Sequence, residues 1–168
     1  MKLFILTGPP ATGKNTIGAV FAKLRKKCAV IDVDAVRWMV LQPHKAPREG
    51  SGGKKQQLLG VQNACVLAEN FLKQKYDVLI LDVLNNKTAQ IYREKLKNFN
   101  PKIILLLPTY TEIIRRNKLR PPWLKPEEIE RCYKEQEMFN AYDTKLDNTN
   151  KTADEVARDL ANTHIKKA

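Results

Sequence analysis

The chain has 168 residues, 43% of them hydrophobic, and a net charge of +12. That is enough for one domain with a sizeable core and too apolar for a disordered chain, and it contains no run near the roughly 18 apolar residues of a membrane span. The surplus of 30 Lys+Arg over 18 Asp+Glu favours anionic partners such as phosphates or nucleic acid, although the lysines are scattered rather than banded and a generally Lys-rich surface accounts for the charge as well.

KLFILT, residues 2–7, is a short apolar run that stops at a Gly-Pro turn and predicts a buried strand. Ile17, Val20, Phe21 and Leu24 then fall at helical spacing, predicting a helix from Lys14 to about Lys26. CAVIDVD, 28–34, reads as a second strand ending in acids, and AVRWMVLQ, 35–42, as a short helix. PHKAPREGSGGKK, 43–55, is rich in Pro, Gly and charge and predicts a mobile loop. A long amphipathic helix is expected over 57–74, a third strand over 77–84, a polar-faced helix over 88–98 and a fourth strand over 102–107. TEIIRRNKLR, 111–120, predicts a helix running into a basic loop that PPW, 121–123, breaks. The next helix, 126–139, opens on Pro126 with acids in its first turn, where the helix dipole favours them. TKLDNT, 144–149, reads as a short fifth strand with a turn, and 152–165 as a Thr-capped closing helix. Strands alternating with helices predict a parallel sheet covered on both faces. No repeat or boundary divides the chain, so residues 1–168 are expected to form a single domain.

GPPATGKNT, 8–16, nearly spells the phosphate-binding pattern G-x-x-x-x-G-K-[ST]. Gly8, Pro9, Pro10, Ala11, Thr12 and Gly13 would form the loop, and the two glycines permit backbone turns that aim N–H groups at one anion. Lys14 would reach the β- and γ-phosphates, with the positive end of the following helix behind it. Asn15 stands where a Ser or Thr hydroxyl usually ligates Mg²⁺; its carbonyl oxygen is a bulkier hard ligand, and Thr16 follows it.

Asp32, Asp34 and Arg37 lie at the carboxyl end of the second strand, where open α/β sheets place ligands. Asp34 could take a proton from a substrate hydroxyl, and Asp32 could hold a metal-bound water. Arg37 could fix an acceptor phosphate or orient Asp34, and Trp38 could line the acceptor pocket or pack. The bland alternative is that the two acids only cap the next helix. Asp82 ends the third strand, where a carboxylate either orients Mg²⁺ or hydrogen-bonds loop backbone. Arg115, Arg116, Lys118 and Arg120 make a dense basic patch that would close as a lid over transferring phosphates, with a solvated turn as the alternative. His44 and His164 have no ligand partner near in sequence, and Cys28, Cys65 and Cys132 lack metal spacing, as reduced thiols of a cytosolic protein would. MKLFILTG is too short for a secretory leader.

Taken together these motifs resemble the small P-loop kinases, a broad group that includes shikimate kinase, gluconate kinase, chloramphenicol phosphotransferase, zeta toxins and the kinase domain of phage polynucleotide kinase. The resemblance covers essentially the whole chain. It implies the three-layer P-loop NTPase fold: α/β, a five-stranded parallel sheet in order 2-3-1-4-5 with helices on both faces, and an arginine lid at about 116–126. G-K-x-T at 13–16 is also similar to adenylate kinases. D-V-D at 32–34 looks like shikimate kinase, where the first acid is near the metal and the second binds substrate. Asp34 with Arg37 looks like polynucleotide kinase, where the Asp activates a 5′-hydroxyl, and Thr111, Glu112, Arg116, Asn117 and Arg120 resemble that enzyme's lid entry. The segment 146–157 resembles the loop that packs on adenine, which makes Asn148, Thr149 and Asn150 neighbours of the base.

The expected function is an ATP- and Mg²⁺-dependent kinase acting on a hydroxyl of a small molecule. Lys14, Asp34, Arg116 and Arg120 would be catalytic, Arg116 would also bind nucleotide, and Asn15, Asp32 and Asp82 would serve the metal. Three alternatives stay open: a polynucleotide 5′-hydroxyl kinase, a nucleoside monophosphate kinase and a non-catalytic nucleotide-binding protein. A monomer or homodimer in the cytoplasm is expected, without a membrane partner.

Overall fold

The computed structural model describes residues 1–119, 121 and 124–162. The expected lid arginine Arg120 lies outside the described residues, as do Trp123 of the PPW break and His164. The first half runs β1 (Leu3–Thr7), α1 (Lys14–Lys23), β2 (Cys28–Asp32), α2 (Val33–Arg37), α3 (Gly50–Lys73), β3 (Asp77–Leu81) and α4 (Asn86–Lys95). A 3-10 turn at Lys97–Phe99 leads to β4 (Lys102–Leu106), α5 (Tyr110–Lys118), α6 (Pro126–Glu137), β5 (Thr144–Leu146) and α7 (Ala153–Asn162).

The five strands form one sheet in the order β2-β3-β1-β4-β5, and every neighbouring pair is parallel. Ile5 of β1 faces Ile80 of β3 on one side and Ile103 of β4 on the other. Alternation along β1 divides the core into two layers. Leu3 and Ile5 point to the layer built by Ala64, Ala68 and Leu72 of α3 and Tyr92 of α4. Phe4 and Leu6 point to the layer built by Ile17 and Phe21 of α1 and Val156 and Leu160 of α7. The central strands are buried on both faces, which is why their sequences read as continuous apolar runs. Among the described residues no helix is long and apolar enough to cross a membrane.

The helix expected over 35–42 ends at Arg37 and the strand expected over 77–84 at Leu81, and two further segments differ from expectation. β2 stops at Asp32, not 34, because the Asp32 side chain accepts the Asp34 amide and caps α2, so Asp34 stands in a helical first turn. The expected mobile loop 43–55 is half helical, since α3 begins at Gly50. A Cβ on Gly53 would lie 1.9 Å from the Ala46 carbonyl oxygen, so the preceding segment folds directly over the first turn of α3. Gln56 ties the two together by accepting from the Lys45 amide and donating to the Pro43 carbonyl. Glycine's poor helix propensity hid this turn, and close backbone approach overrides it.

Candidate active site

The sheet's carboxyl edge carries the loop between β1 and α1. Gly8 has φ 149°, and a Cβ there would sit 2.3 Å from the Leu106 carbonyl oxygen of β4, so the loop leaves the sheet through a gap only glycine fits. Ala11 (φ 67°) and Gly13 (φ 90°) turn left-handed, and Gly13 is the N-cap of α1. Thr12 is fully buried and its hydroxyl donates to the Pro9 carbonyl at 3.1 Å, closing the loop on itself. Lys14 Nζ donates to the carbonyls of Gly8 (2.7 Å) and Pro9 (3.1 Å). Its ammonium therefore lies against the loop.

The candidate acids converge on that loop. Asn15 Nδ2 donates to Asp32 Oδ2 at 2.8 Å, leaving Asn15 Oδ1 as its remaining side-chain acceptor, while Asp32 Oδ1 takes the Asp34 amide at 3.0 Å. Asp34 Oδ1 accepts from Arg37 Nη1 at 2.8 Å, with Asp34 70% exposed and Arg37 10%. Arg37 is thus drawn in beneath Asp34, with Nη2 3.5 Å from the Lys45 carbonyl and a buried Nε that has no partner among the described residues. Of the two roles anticipated for Arg37, orienting Asp34 matches this geometry. The stem of Arg37 runs across α3 at Gly60, where an added Cβ would come within 2.5 Å of Arg37 Cγ. Gly60→Ala should push the guanidinium off Asp34 and cost about 1–3 kcal/mol of stability, as overpacking does, which urea unfolding would read.

Asp82 accepts from the Val83 amide (2.7 Å) and from the Tyr92 hydroxyl (3.0 Å). Burial pushes its carboxyl up to about 6; the two hydrogen bonds and the Lys14 charge pull it down, and the Asp34 charge pushes it further up. A raised carboxyl is held protonated in the folded chain between its ordinary 3.8 and about 6, while the unfolded chain has already lost that proton. Stability should fall as pH rises through that window and level off above it, by on the order of 3 kcal/mol in all. Asp82→Asn should remove that slope, gaining stability at pH 7 but not at pH 4, as urea unfolding at the two pH values would read.

The donors fit magnesium on a shared basis. Asn15, Asp32 and Asp82 offer oxygen only, and among the described residues no group of three or more His, Cys, Asp or Glu is spaced to hold a metal alone. That set suits an ion carried mainly by nucleotide phosphates and water.

Beside the loop, a cavity of about 200 Å³ is lined by Thr12, Gly13, Thr16, Ile17, Arg116, Asn148, Lys151 and Ala153. Arg116 forms part of its wall through long-range bonds: Nη1 to the Thr12 carbonyl (3.3 Å), and Nη2 to the carbonyls of Asn148 (2.7 Å) and Thr149 (3.3 Å). Arg115 and Arg116 hold Glu112 down at about 2, and Arg116 Nε donates to it at 2.6 Å. A role for Arg116 on the phosphates requires these backbone bonds to break on closure. Asn148 is 2% exposed; its Nδ2 donates to the Thr12 carbonyl at 3.0 Å, and its Oδ1 is buried without a partner among the described residues. That orphan acceptor fits an exocyclic amine such as the one on adenine. Of its two expected neighbours, Thr149 turns its hydroxyl to Asp147 and to the Thr109 amide, and Asn150 is exposed. Neither lines the cavity; Lys151 and Ala153 do. Trp38 stands exposed beyond Arg37, stacked on His44.

No family model and no curated protein matches the chain. Solved structures do. A shikimate kinase from Bacteroides thetaiotaomicron superposes with a TM-score of 0.69 at 15% identity, covering 95% of this chain and 96% of that one. The tunicamycin resistance protein of Deinococcus radiodurans gives 0.67 at 13% identity, covering 96% and 94%. A gluconokinase from Sinorhizobium meliloti 1021 gives 0.66 at 13% identity, covering 94% and 87%. At these identities the likeness is one of fold: the chain has the architecture of the small P-loop kinases, with the expected strand order 2-3-1-4-5.

Proposed function

We propose that this protein is an ATP-dependent kinase that transfers the γ-phosphoryl group to an alcohol. The observation that carries the reading is a glycine-hinged loop that holds the Lys14 ammonium, with Asn15 at its exit bonded to Asp32, the residue that caps the helix bearing the Asp34–Arg37 pair. The nucleotide's base enters the cavity walled by Arg116 and Asn148, its amine on Asn148 Oδ1. Its phosphates lie along the loop from Gly8 to Thr16, and Lys14 exchanges the Gly8 and Pro9 carbonyls for phosphate oxygens. Mg²⁺, when bound through Asn15, Asp32, Asp82 or their waters, neutralises charge on the transferring group. Asp34, turned outward and steadied by Arg37, takes the acceptor's hydroxyl proton. The acceptor oxygen then bonds to the γ-phosphorus as the bridging bond breaks and its electron pair leaves with ADP. Arg120 would add positive charge on closure, as a lid arginine.

A polynucleotide 5′-hydroxyl kinase is the second reading, favoured by the Asp34–Arg37 pair and the charge of +12. A nucleoside monophosphate kinase needs Arg37 to clamp an acceptor phosphate, and Arg37 is occupied with Asp34. A non-catalytic nucleotide-binding protein leaves the exposed Asp34 without a task. The test is label transfer from γ-labelled ATP with Mg²⁺ to a panel of small alcohols and to a single-stranded oligonucleotide with a 5′-hydroxyl. Label on a small alcohol supports the main reading. Label confined to the oligonucleotide selects the second, with affinity falling steeply in salt. ATP binding with nothing labelled contradicts both.

A further inference from the structure

Trp38 stands one helical turn from Asp34, since its amide donates to the Asp34 carbonyl at 2.9 Å, and residues four apart share a helix face. The indole is 61% exposed, yet it is held. The His44 imidazole stacks on it with ring centroids 3.7 Å apart and planes 8° from parallel, and His44 Nδ1 lies 3.2 Å from the Val40 carbonyl. A ring covered on one face and still largely in solvent has its other face open. Met39 and Leu41, next along the chain, are 73% and 79% exposed, so this stretch leaves unusual apolar area in water.

Arg37 is engaged with Asp34 and the Lys45 carbonyl, so the cation beside the candidate base is not free to read a sugar acid or a phosphate. A polyol needs several convergent donors and acceptors for its hydroxyls, whereas a flat conjugated ring needs an aromatic face. We infer that Trp38 is a stacking platform for the acceptor, and that the acceptor is an alcohol carrying a planar aromatic or heteroaromatic ring, its hydroxyl one short spacer away at Asp34. The inference rests on the kinase reading above and narrows its substrate class. A free nucleoside and the 5′ end of a nucleic acid share this chemistry.

Four acceptors separate the cases: thymidine, a single-stranded oligonucleotide with a 5′-hydroxyl, glucose and gluconate, each offered with γ-labelled ATP and Mg²⁺ to wild type, Trp38→Ala, Trp38→Phe and Asp34→Asn. Trp38 is exposed, so its variants should fold. Thymidine or the oligonucleotide should be labelled in preference to both sugars. Trp38→Ala should raise KM for the labelled acceptor about ten- to a hundredfold, as loss of one stacked base does, with kcat within about twofold. Trp38→Phe should keep most of the affinity. Label on thymidine means a free nucleoside-type acceptor, and label on the oligonucleotide alone means a strand end. Equal or better transfer to glucose or gluconate overturns the inference, as does an unchanged KM in Trp38→Ala. Asp34→Asn reports separately: its loss of transfer to every acceptor upholds the kinase reading even where Trp38 proves inert, and persistence of transfer overturns that reading. A wild type that labels none of the four overturns the inference.

Discussion

Asp34→Asn is expected to lower phosphoryl transfer about 10²- to 10⁴-fold while ATP still binds, the range that removal of a general base produces. The substitution keeps the shape of the side chain and can still accept the bond from Arg37 Nη1. It cannot take a proton. Asp34 is 70% exposed and its backbone amide is already satisfied by Asp32, so the fold should change by less than about 0.5 kcal/mol. Loss of turnover with wild-type stability and ATP affinity would separate a chemical role from the capping role open to Asp32 and Asp34. Full activity in Asp34→Asn would mean that another group, or water, takes the proton.

Gly8→Ala carries the second large effect, and it acts on the structure. The new methyl would meet the Leu106 carbonyl oxygen at 2.3 Å, on backbone rather than a side chain that can swing away, and at φ 149°. Either β4 moves or the loop turns elsewhere. A cost of about 3 kcal/mol or more is expected, from steric strain together with a disfavoured backbone conformation. Because the Gly8 carbonyl also takes the Lys14 ammonium, nucleotide affinity should fall in the same variant. Urea midpoints at constant slope and ATP titration measure the two effects. Wild-type values for both would show that the loop accepts a side chain at its entrance.

Features built from neighbours in sequence were legible before the structure. The apolar runs, the glycine-hinged loop and the pairing of Asp34 with Arg37 three residues on all follow from local spacing. Features built from distant segments were not. Gly60 looks like an ordinary helix interruption until the stem of Arg37 lies across it. Tyr92 has the spacing of a core residue, and only the fold shows its hydroxyl on Asp82. The turn at Gly50–Gly53 is a poor helix by propensity and forms because the Ala46 carbonyl packs against Gly53. Arg116 reaches back 104 residues to the Thr12 carbonyl and walls the cavity beside the loop, a contact that no local spacing announces. Asn148 lines the cavity beside the loop together with Lys151 and Ala153, while Thr149 and Asn150 do not.

The most direct test of the central claim is transfer of label from γ-labelled ATP with Mg²⁺, measured for wild type beside Lys14→Met. Lys14 donates to the Gly8 and Pro9 carbonyls, and methionine keeps the length of the side chain without its charge. A labelled acceptor in wild type, with transfer reduced about 10²- to 10³-fold in Lys14→Met and the fold intact, is the predicted result. Transfer that survives the substitution, or ATP that binds with no alcohol labelled by wild type, would contradict it.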